Sequence, residues 1–454
     1  MEIPVVKNKE YIVDIIDNGF EGEGIAKVRD YTIFIPGAIK GEKAKILIVK
    51  VTTSHAFGKI IELLKKSEHR MQEDCQTYKR CGGCNLRHID YEKTLEIKEQ
   101  TVRNLIRKGL KSEVIVDKVI GMGNPYHYRN KAQYPFGMDK KGEPVVGIYA
   151  NRTHEIIPIH HCFIQNPISE KIVKYINTYI KQEKISVYNE KTRKGILRHV
   201  VIKIGIQTNE VMCILVLNGE RLPKESVLVD KLTQQFPMIK TIVKNINTEN
   251  TNVILGNKNI NLYGNGYIYD ILGEYKFKIS PMSFYQTNPV QTEVLYHTAM
   301  EQAKLDKKDV IWDLYCGIGT IGIFASSFVK KVYGIEVIEQ AVRDAKENAM
   351  LNHIDNIEFL LGAVENTLHI LIKDKKAKPD AVFVDPPRKG LDKETIQNLI
   401  NIKPSKIIYI SCNPATMVRD LVKLEEVYEI KKIQPVDMFP FTSHIEVVTI
   451  LNLK

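Results

Sequence analysis

The last third of the chain alternates short β-branched runs with polar, helix-like stretches. Residues 310–315, 332–335, 357–361, 381–384 and 406–410 read as buried strands, and 321–328 and 415–424 as helices. Strand–helix alternation of this kind predicts a mostly parallel sheet. Upstream the pattern differs. Residues 203–273 carry β-rich runs at 212–217, 241–246 and 252–255 between polar loops, which predicts an α/β middle domain. Over residues 91–110 the apolar side chains Leu95, Val102, Leu105, Ile106 and Leu110 form a helical stripe, and Gly109 marks its end. In the first 65 residues, strand-like runs at 11–16, 25–28, 31–35, 44–51 and 59–64 are punctuated by Asp17-Asn18-Gly19, Gly22-Glu23-Gly24, Pro36-Gly37 and Gly41. Short strands with such turns predict a small closed barrel. The expected organisation is a barrel over 1–65, a middle domain over 66–275 and an α/β domain over 276–454. The 91–110 helix is a candidate to pack on the last of these.

With 44% hydrophobic and 26% charged residues, the 454-residue chain has ordinary globular composition. Its formal net charge of +11 and pI near 9.0 favour a polyanionic partner, nucleic acid first. No basic stretch followed by an apolar one opens the chain, so no signal peptide is expected. No run approaches the ~18 apolar residues of a membrane span. Seven cysteines, unevenly spaced, do not make a disulfide scaffold. A soluble, cytoplasmic protein is expected.

Chemistry concentrates where the predicted strands end. Ser411-Cys412-Asn413-Pro414 follows the 406–410 strand and precedes a helix that Asn413 caps and Pro414 starts. A cysteine there sits where open α/β sheets collect ligands, and the helix N-terminus is expected to lower its pKa and favour the thiolate. Cys316-Gly317-Ile318-Gly319-Thr320 is a tight turn after the first strand of the sheet. Glu336 ends the next strand, about 20 positions on, at the spacing of a carboxylate that holds a ribose diol. The third glycine of a dinucleotide fingerprint is missing, which points to a compact nucleoside such as S-adenosylmethionine. Asp385-Pro386-Pro387-Arg388-Lys389-Gly390 lies at a third strand end, with Asp385 free to accept a hydrogen bond from base or cofactor. Arg388 stands where amine-methylating enzymes carry an aromatic, which weighs against amine methylation.

Cys75, Cys81 and Cys84 lie close together, with Gly82 and Gly83 in the tighter gap, and Cys162 follows 78 positions later. In a reducing compartment the set reads as a metal site, and four thiolates suit either zinc or a four-iron cluster. Tyr126-His127-Tyr128-Arg129-Asn130-Lys131 and Arg198-His199 interleave cations with rings or apolar strand. Splayed RNA bases and phosphates call for such stretches, and so does a solvated strand edge. On the barrel, Lys27, Arg29, Lys50 and Phe57 are the corresponding candidates.

Phe284-Tyr285-Gln286-Thr287-Asn288, residues 313–320, 385–390, 411–414 and His444-Ile445-Glu446 occur in this order. With the cysteine set, they resemble the bacterial RNA (uracil-5-)-methyltransferases, in particular the iron-sulfur branch acting on 23S ribosomal RNA. The resemblance covers nearly the whole chain. It implies a TRAM barrel at the N-terminus, an α/β middle domain with a [4Fe-4S] cluster on Cys75, Cys81, Cys84 and Cys162, and a seven-stranded Rossmann-like catalytic domain. It further implies that Gln286, Tyr315, Glu336 and Asp385 bind S-adenosyl-L-methionine, that Cys412 is the nucleophile, and that Glu446 is the base. The expected partner is ribosomal RNA offering a structured loop with a flipped uridine; no obligate protein partner is expected. Ala363 departs from the wider fold, in which an acidic or amide side chain there holds the adenine amino group. Transfer RNA, whose uridine methylases share the catalytic motifs, is the alternative substrate. An RNA assembly factor with a vestigial cofactor site is the non-enzymatic alternative, opposed by the intact Cys412, Glu446 and glycine turn.

Overall fold

In the computed structural model, which describes residues 3–151, 153–373 and 378–454, the C-terminal strands join one sheet. Its order is Ile357–Leu361, Lys331–Glu336, Val310–Leu314, Ala381–Val384, Lys406–Ser411, Glu446–Leu453, Tyr428–Val436 and Ile115–Val116. The first five are parallel; Glu446–Leu453 runs antiparallel to both of its neighbours. Val310–Leu314 has the next strand in sequence on one side and Ala381–Val384 on the other, so the winding reverses there. Ligands bind at the carboxyl ends of strands at such a reversal.

Eight strands, not seven, make this sheet. The eighth, Ile115–Val116, comes from far upstream and pairs in parallel with Lys432 and Ile433. The helix Tyr91–Gly109 brings it there: Val102, Ile106, Leu110 and Val116 share one core with Trp312, Tyr409, Met417 and Leu421. Gly109 allows this approach, since a Cβ on it would stand 2.1 Å from a Val418 methyl. The helix also departs from its predicted stripe. Thr94 and Lys98 are buried with Ile97, while Leu105 is only partly covered.

The middle sheet runs Ile156–Pro158, Pro144–Tyr149, Lys131–Met138, Leu197–Ile204, Val211–Leu217, Ile239–Ile246 and Lys258–Tyr263. Leu197–Ile204 and Val211–Leu217 are buried on both faces. Val200, Ile202 and Ile204 meet Ile172, Ile176 and Leu232 of the helices Pro167–Gln182 and Glu225–Gln235. On the opposite face, Val201, Met212, Ile214 and Val216 join the core of the C-terminal region. Strand periodicity thus makes this sheet a shared wall. The strand expected at 252–255 is a loop, held by the Asn247 amide donating to the carbonyls of Val253 (2.8 Å) and Ile254 (2.9 Å). The strand falls at Lys258–Tyr263 instead.

Six strands, not five, form the N-terminal barrel, in the order Glu10–Asp14, Lys43–Val51, His55–Lys65, Tyr31–Ile35, Gly24–Val28 and Asp17–Asn18. Ile15 pairs with Glu42 on one side and Ile16 with Ile25 on the other, which closes the sheet. Val13, Ile33, Ile35, Ile46 and Ile48 fill it. Among the described residues no helix is long and apolar enough to cross a membrane.

Candidate active site

Four loops at strand ends open on one cavity of about 600 Å³. Gln286, Tyr315, Glu336, Asp385, Cys412 and Glu446 all line it. The glycine turn forms one wall. Gly317 has φ +55°, and a Cβ there would meet no atom within 4 Å, so the backbone faces open space that a ligand can fill. Tyr315, just before it, also adopts a left-handed φ of +66°. A non-glycine residue held there stores strain of the kind that collects at binding sites. Glu336 accepts from the amides of Gly317 (3.1 Å), Val337 and Ile338 (2.9 Å each), which fix its carboxylate at the wall. A carboxylate has about four acceptor positions, so capacity remains for a diol. Ile338, Gln340 and Ala341 line this side; Ala363 and Glu365 are not among the lining residues.

The opposite wall is acidic and buried. Burial pushes Asp385 up to about 7. It also holds Glu446 well above the ordinary carboxylate range, reinforced by the Asp385 charge and opposed by Arg388. Cys412 departs from expectation. Asn413 does cap the helix Pro414–Leu424, accepting from the Ala415 amide. Yet burial, then the Glu446 and Asp385 charges, push the thiol up to about 11. Desolvation beside two carboxylates outweighs the helix N-terminus, so the resting group is a thiol.

Glu446 and His444 leave a connection, residues 437–445, that is pinned from four directions. Lys98 and Asp437 form a fully buried ion pair at 2.6 Å, and Tyr91 donates to the same carboxylate at 2.9 Å. The Asn288 amide donates to the Met438 carbonyl at 3.0 Å, and the Tyr128 hydroxyl to that of Pro440 at 3.2 Å. Leu86 N–H donates to Phe441 O at 3.0 Å, and Asn85 exchanges hydrogen bonds with Ser443.

The cysteines lie elsewhere. Cys75, Cys81, Cys84 and Cys162 are free and half-buried, and none lines the cavity. Burial raises the thiols of Cys81, Cys84 and Cys162, with Cys84 reaching about 12, and charges within the set add to each shift. The four are therefore electrostatic neighbours. Among the described residues, however, no group of three or more His, Cys, Asp or Glu side chains is arranged to hold a metal ion. As they stand, these thiols do not form a ready-made ion site.

The tRNA (Uracil-5-)-methyltransferase family pattern matches residues 90–454, and a TRAM domain matches 4–61. The chain belongs to the tRNA (uracil-5-)-methyltransferase family. Similar full-length proteins include RNA methyltransferases, themselves uncharacterized, of Clostridium tetani (43% identical, 99% of this chain and 98% of the relative) and Clostridium acetobutylicum (44%, with the same coverage). Among solved structures, the Pyrococcus abyssi tRNA (uracil-54, C5)-methyltransferase in complex with S-adenosyl-L-homocysteine superposes with a TM-score of 0.77. It shares 27% identity, over 97% of this chain and 100% of that one. The protein is an S-adenosylmethionine-dependent RNA methyltransferase with an N-terminal TRAM barrel and a Rossmann-like catalytic fold.

Two RNA candidates of the methyltransferase separate in the fold. Arg129 lines the cavity, and its buried Nε has no partner. Arg198 and His199 do not face solvent. The Arg198 guanidinium stacks on Tyr188 at 4.4 Å and donates to the carbonyls of Asn247 and Glu249. Burial holds His199 neutral, at about 4. Lys50 stands over Phe57 at 5.7 Å on the barrel, beside Phe34 and His55. Residues that the sequence did not single out as lining the cavity include Tyr296, Gln340 and Phe439. Their signal is position alone, one turn or one loop from a recognised motif.

Proposed function

We propose that this methyltransferase methylates C5 of a uridine in 23S ribosomal RNA. The supporting observation is that Cys412, Asp385 and Glu446 share one cavity with Gln286, Tyr315 and Glu336. In this reading Gln286, Tyr315, Glu336 and Asp385 hold S-adenosyl-L-methionine, which supplies a methyl group on a sulfonium. C5 of uracil is a weak nucleophile. The Cys412 thiol loses its proton to solvent and adds as thiolate to C6, and the displaced C5=C6 pair makes C5 enolate-like. Arg388, whose charge opposes the upward shift of the thiol, favours that thiolate. After C5 is methylated, Glu446 accepts its proton. The C–H pair re-forms C5=C6, and the C6–S bond breaks to return the thiolate. Burial and Asp385 keep Glu446 basic enough for this task. The barrel and middle domain supply RNA affinity, and the uridine is flipped out to reach Cys412.

The second reading keeps the chemistry and places it on transfer RNA. The full-length similarity to the Pyrococcus abyssi enzyme favours it. We also propose that Cys75, Cys81, Cys84 and Cys162 carry a [4Fe-4S] cluster of architectural role. Four neighbouring thiols with no carboxylate among the larger charge effects on them suit iron–sulfur ligation. Iron and sulfide analysis of anaerobically purified protein tests this: four of each per chain supports it, and stoichiometric zinc overturns it.

The function itself is tested with radiolabelled S-adenosylmethionine and undermethylated total RNA. Label in 5-methyluridine from ribosomal RNA supports the first reading, and the same nucleoside from transfer RNA supports the second. Label in a methylated amine, or none from cofactor-bound protein, overturns both.

A further inference from the structure

Lys203 lies near the end of the strand Leu197–Ile204, on the face that the middle sheet turns toward the catalytic fold. The residue is 5% exposed. Among the described residues its ammonium makes no direct ion pair with a carboxylate. Instead Nζ donates to the carbonyls of Ser280 (2.9 Å) and Ser283 (2.8 Å). These serines open the loop between the strand Tyr275–Ile279 and the helix Pro289–Ala303, and residues 282–287 of that loop line the cofactor cavity.

The same turn is gripped from the other side. Ser280 and Ser283 hydroxyls both donate to one Asp344 oxygen, at 2.8 and 2.6 Å. Asp344 is buried in the helix Glu339–Leu351, and its second oxygen accepts from Gln340, another cavity residue, at 2.9 Å. Asn130, whose carbonyl accepts from Ile204 N–H beside Lys203, donates to the carbonyls of Gln286 (2.8 Å) and Thr287 (2.9 Å). Burial and the nearby Lys131 charge oppose the Lys203 cation, and Asp344 only partly offsets them. A buried lysine is expensive to keep unless its donors are satisfied, and here the donors are spent on two carbonyls of the loop, whose shape they hold.

We propose that Lys203 and Asp344 are positioning residues that set the geometry of the cofactor-binding loop from two sides. Through Lys203 the middle sheet, and not the catalytic fold alone, determines affinity for S-adenosylmethionine. The proposal rests on the cavity being the cofactor site.

The test is calorimetric binding of S-adenosylhomocysteine to the full-length protein, alongside thermal melts and steady-state kinetics with RNA. Lys203→Met is expected to weaken binding and raise KM for S-adenosylmethionine about tenfold or more, as loss of two charge-assisted hydrogen bonds implies. Its melting temperature stays within a few degrees of wild type, and kcat at saturating cofactor falls by no more than about threefold. Asp344→Asn shifts the same two quantities in the same direction by a smaller factor. Wild-type affinity in a folded Lys203→Met protein overturns the proposal. If that variant does not fold, wild-type affinity in Asp344→Asn does so. Equal losses in kcat and affinity with a lowered melting temperature also overturn it, in favour of a merely structural lysine. A wild-type protein that binds no S-adenosylhomocysteine overturns the reading of the cavity, and this proposal with it.

Discussion

The cavity at the strand ends and the cysteine loops differ in how the fold builds them. Gln286, Tyr315, Glu336, Asp385, Cys412 and Glu446 come from widely separated parts of the sequence and line one cavity. Cys75, Cys81, Cys84 and Cys162 come near one another, yet the described residues contain no ready-made ion site. The first set is anchored to strand ends, and sheet register fixes its members before any ligand arrives. The second hangs on irregular chain, where the ligand itself supplies the bonds that define the geometry. A sheet holds the cavity, and among the described residues no regular element holds the cysteines together.

Variants sharpen the contrast. Replacing Cys412 with Ala is expected to lower the methylation rate by about 10⁴-fold or more, since it removes the nucleophile. S-adenosylhomocysteine affinity, measured by calorimetry, should be unchanged. A drop of less than tenfold would mean that Cys412 is not the nucleophile. Lys98→Met leaves Asp437 buried without its partner, and is expected to cost about 3–5 kcal/mol in urea unfolding. The connection that ends at Glu446 should loosen with it, so activity falls as well. Iodoacetamide should alkylate Cys412 about tenfold faster per pH unit between roughly pH 7 and 10, because the thiolate is the reactive form. The sign follows from a thiol pushed up to about 11: below that value, each unit raises the thiolate fraction tenfold. A plateau near neutral pH, followed by mass spectrometry of the labelled peptide, would show an activated thiolate instead. The smallest effect is expected at the cysteine loop. Cys75→Ser should leave S-adenosylhomocysteine affinity within about twofold, since Cys75 does not line the cavity. A larger loss would join the two regions.

Much of the catalytic half was legible in the sequence because its signals are local. The run ending at Ser411, the cap at Asn413, the glycine turn and Glu336 each follow from residue types at short spacing. The eighth strand was not legible. Ile115–Val116 is two residues long, and it is a strand only because the helix before it packs on a sheet more than 300 residues downstream. Lys98 was missed for a related reason. It sits among apolar positions on the buried side of its helix, and its partner Asp437 lies at the other end of the chain. Arg198 and His199 show the reverse error, since a basic pair in an apolar strand marks buried, internally bonded groups more than an RNA contact. The same rule applies to Lys203, which is buried and bonded to the carbonyls of Ser280 and Ser283. Cys412 shows where the local argument fails outright. The cap and the helix are present, but the charge state is decided first by burial and then by the charges of Glu446 and Asp385, which no local window brings together.

The most direct test of the account is to trap the covalent step. The Glu446→Gln variant keeps the nucleophile and removes the base, and turnover is expected to fall by about 10²–10⁴-fold. Incubated with undermethylated RNA and S-adenosylmethionine, it should accumulate a protein–RNA complex that survives denaturing electrophoresis. After nuclease digestion, mass spectrometry should find a methylated uridine on the peptide containing Cys412. Active Glu446→Gln protein with no such complex, or an adduct on another residue, would contradict the assignment of nucleophile and base.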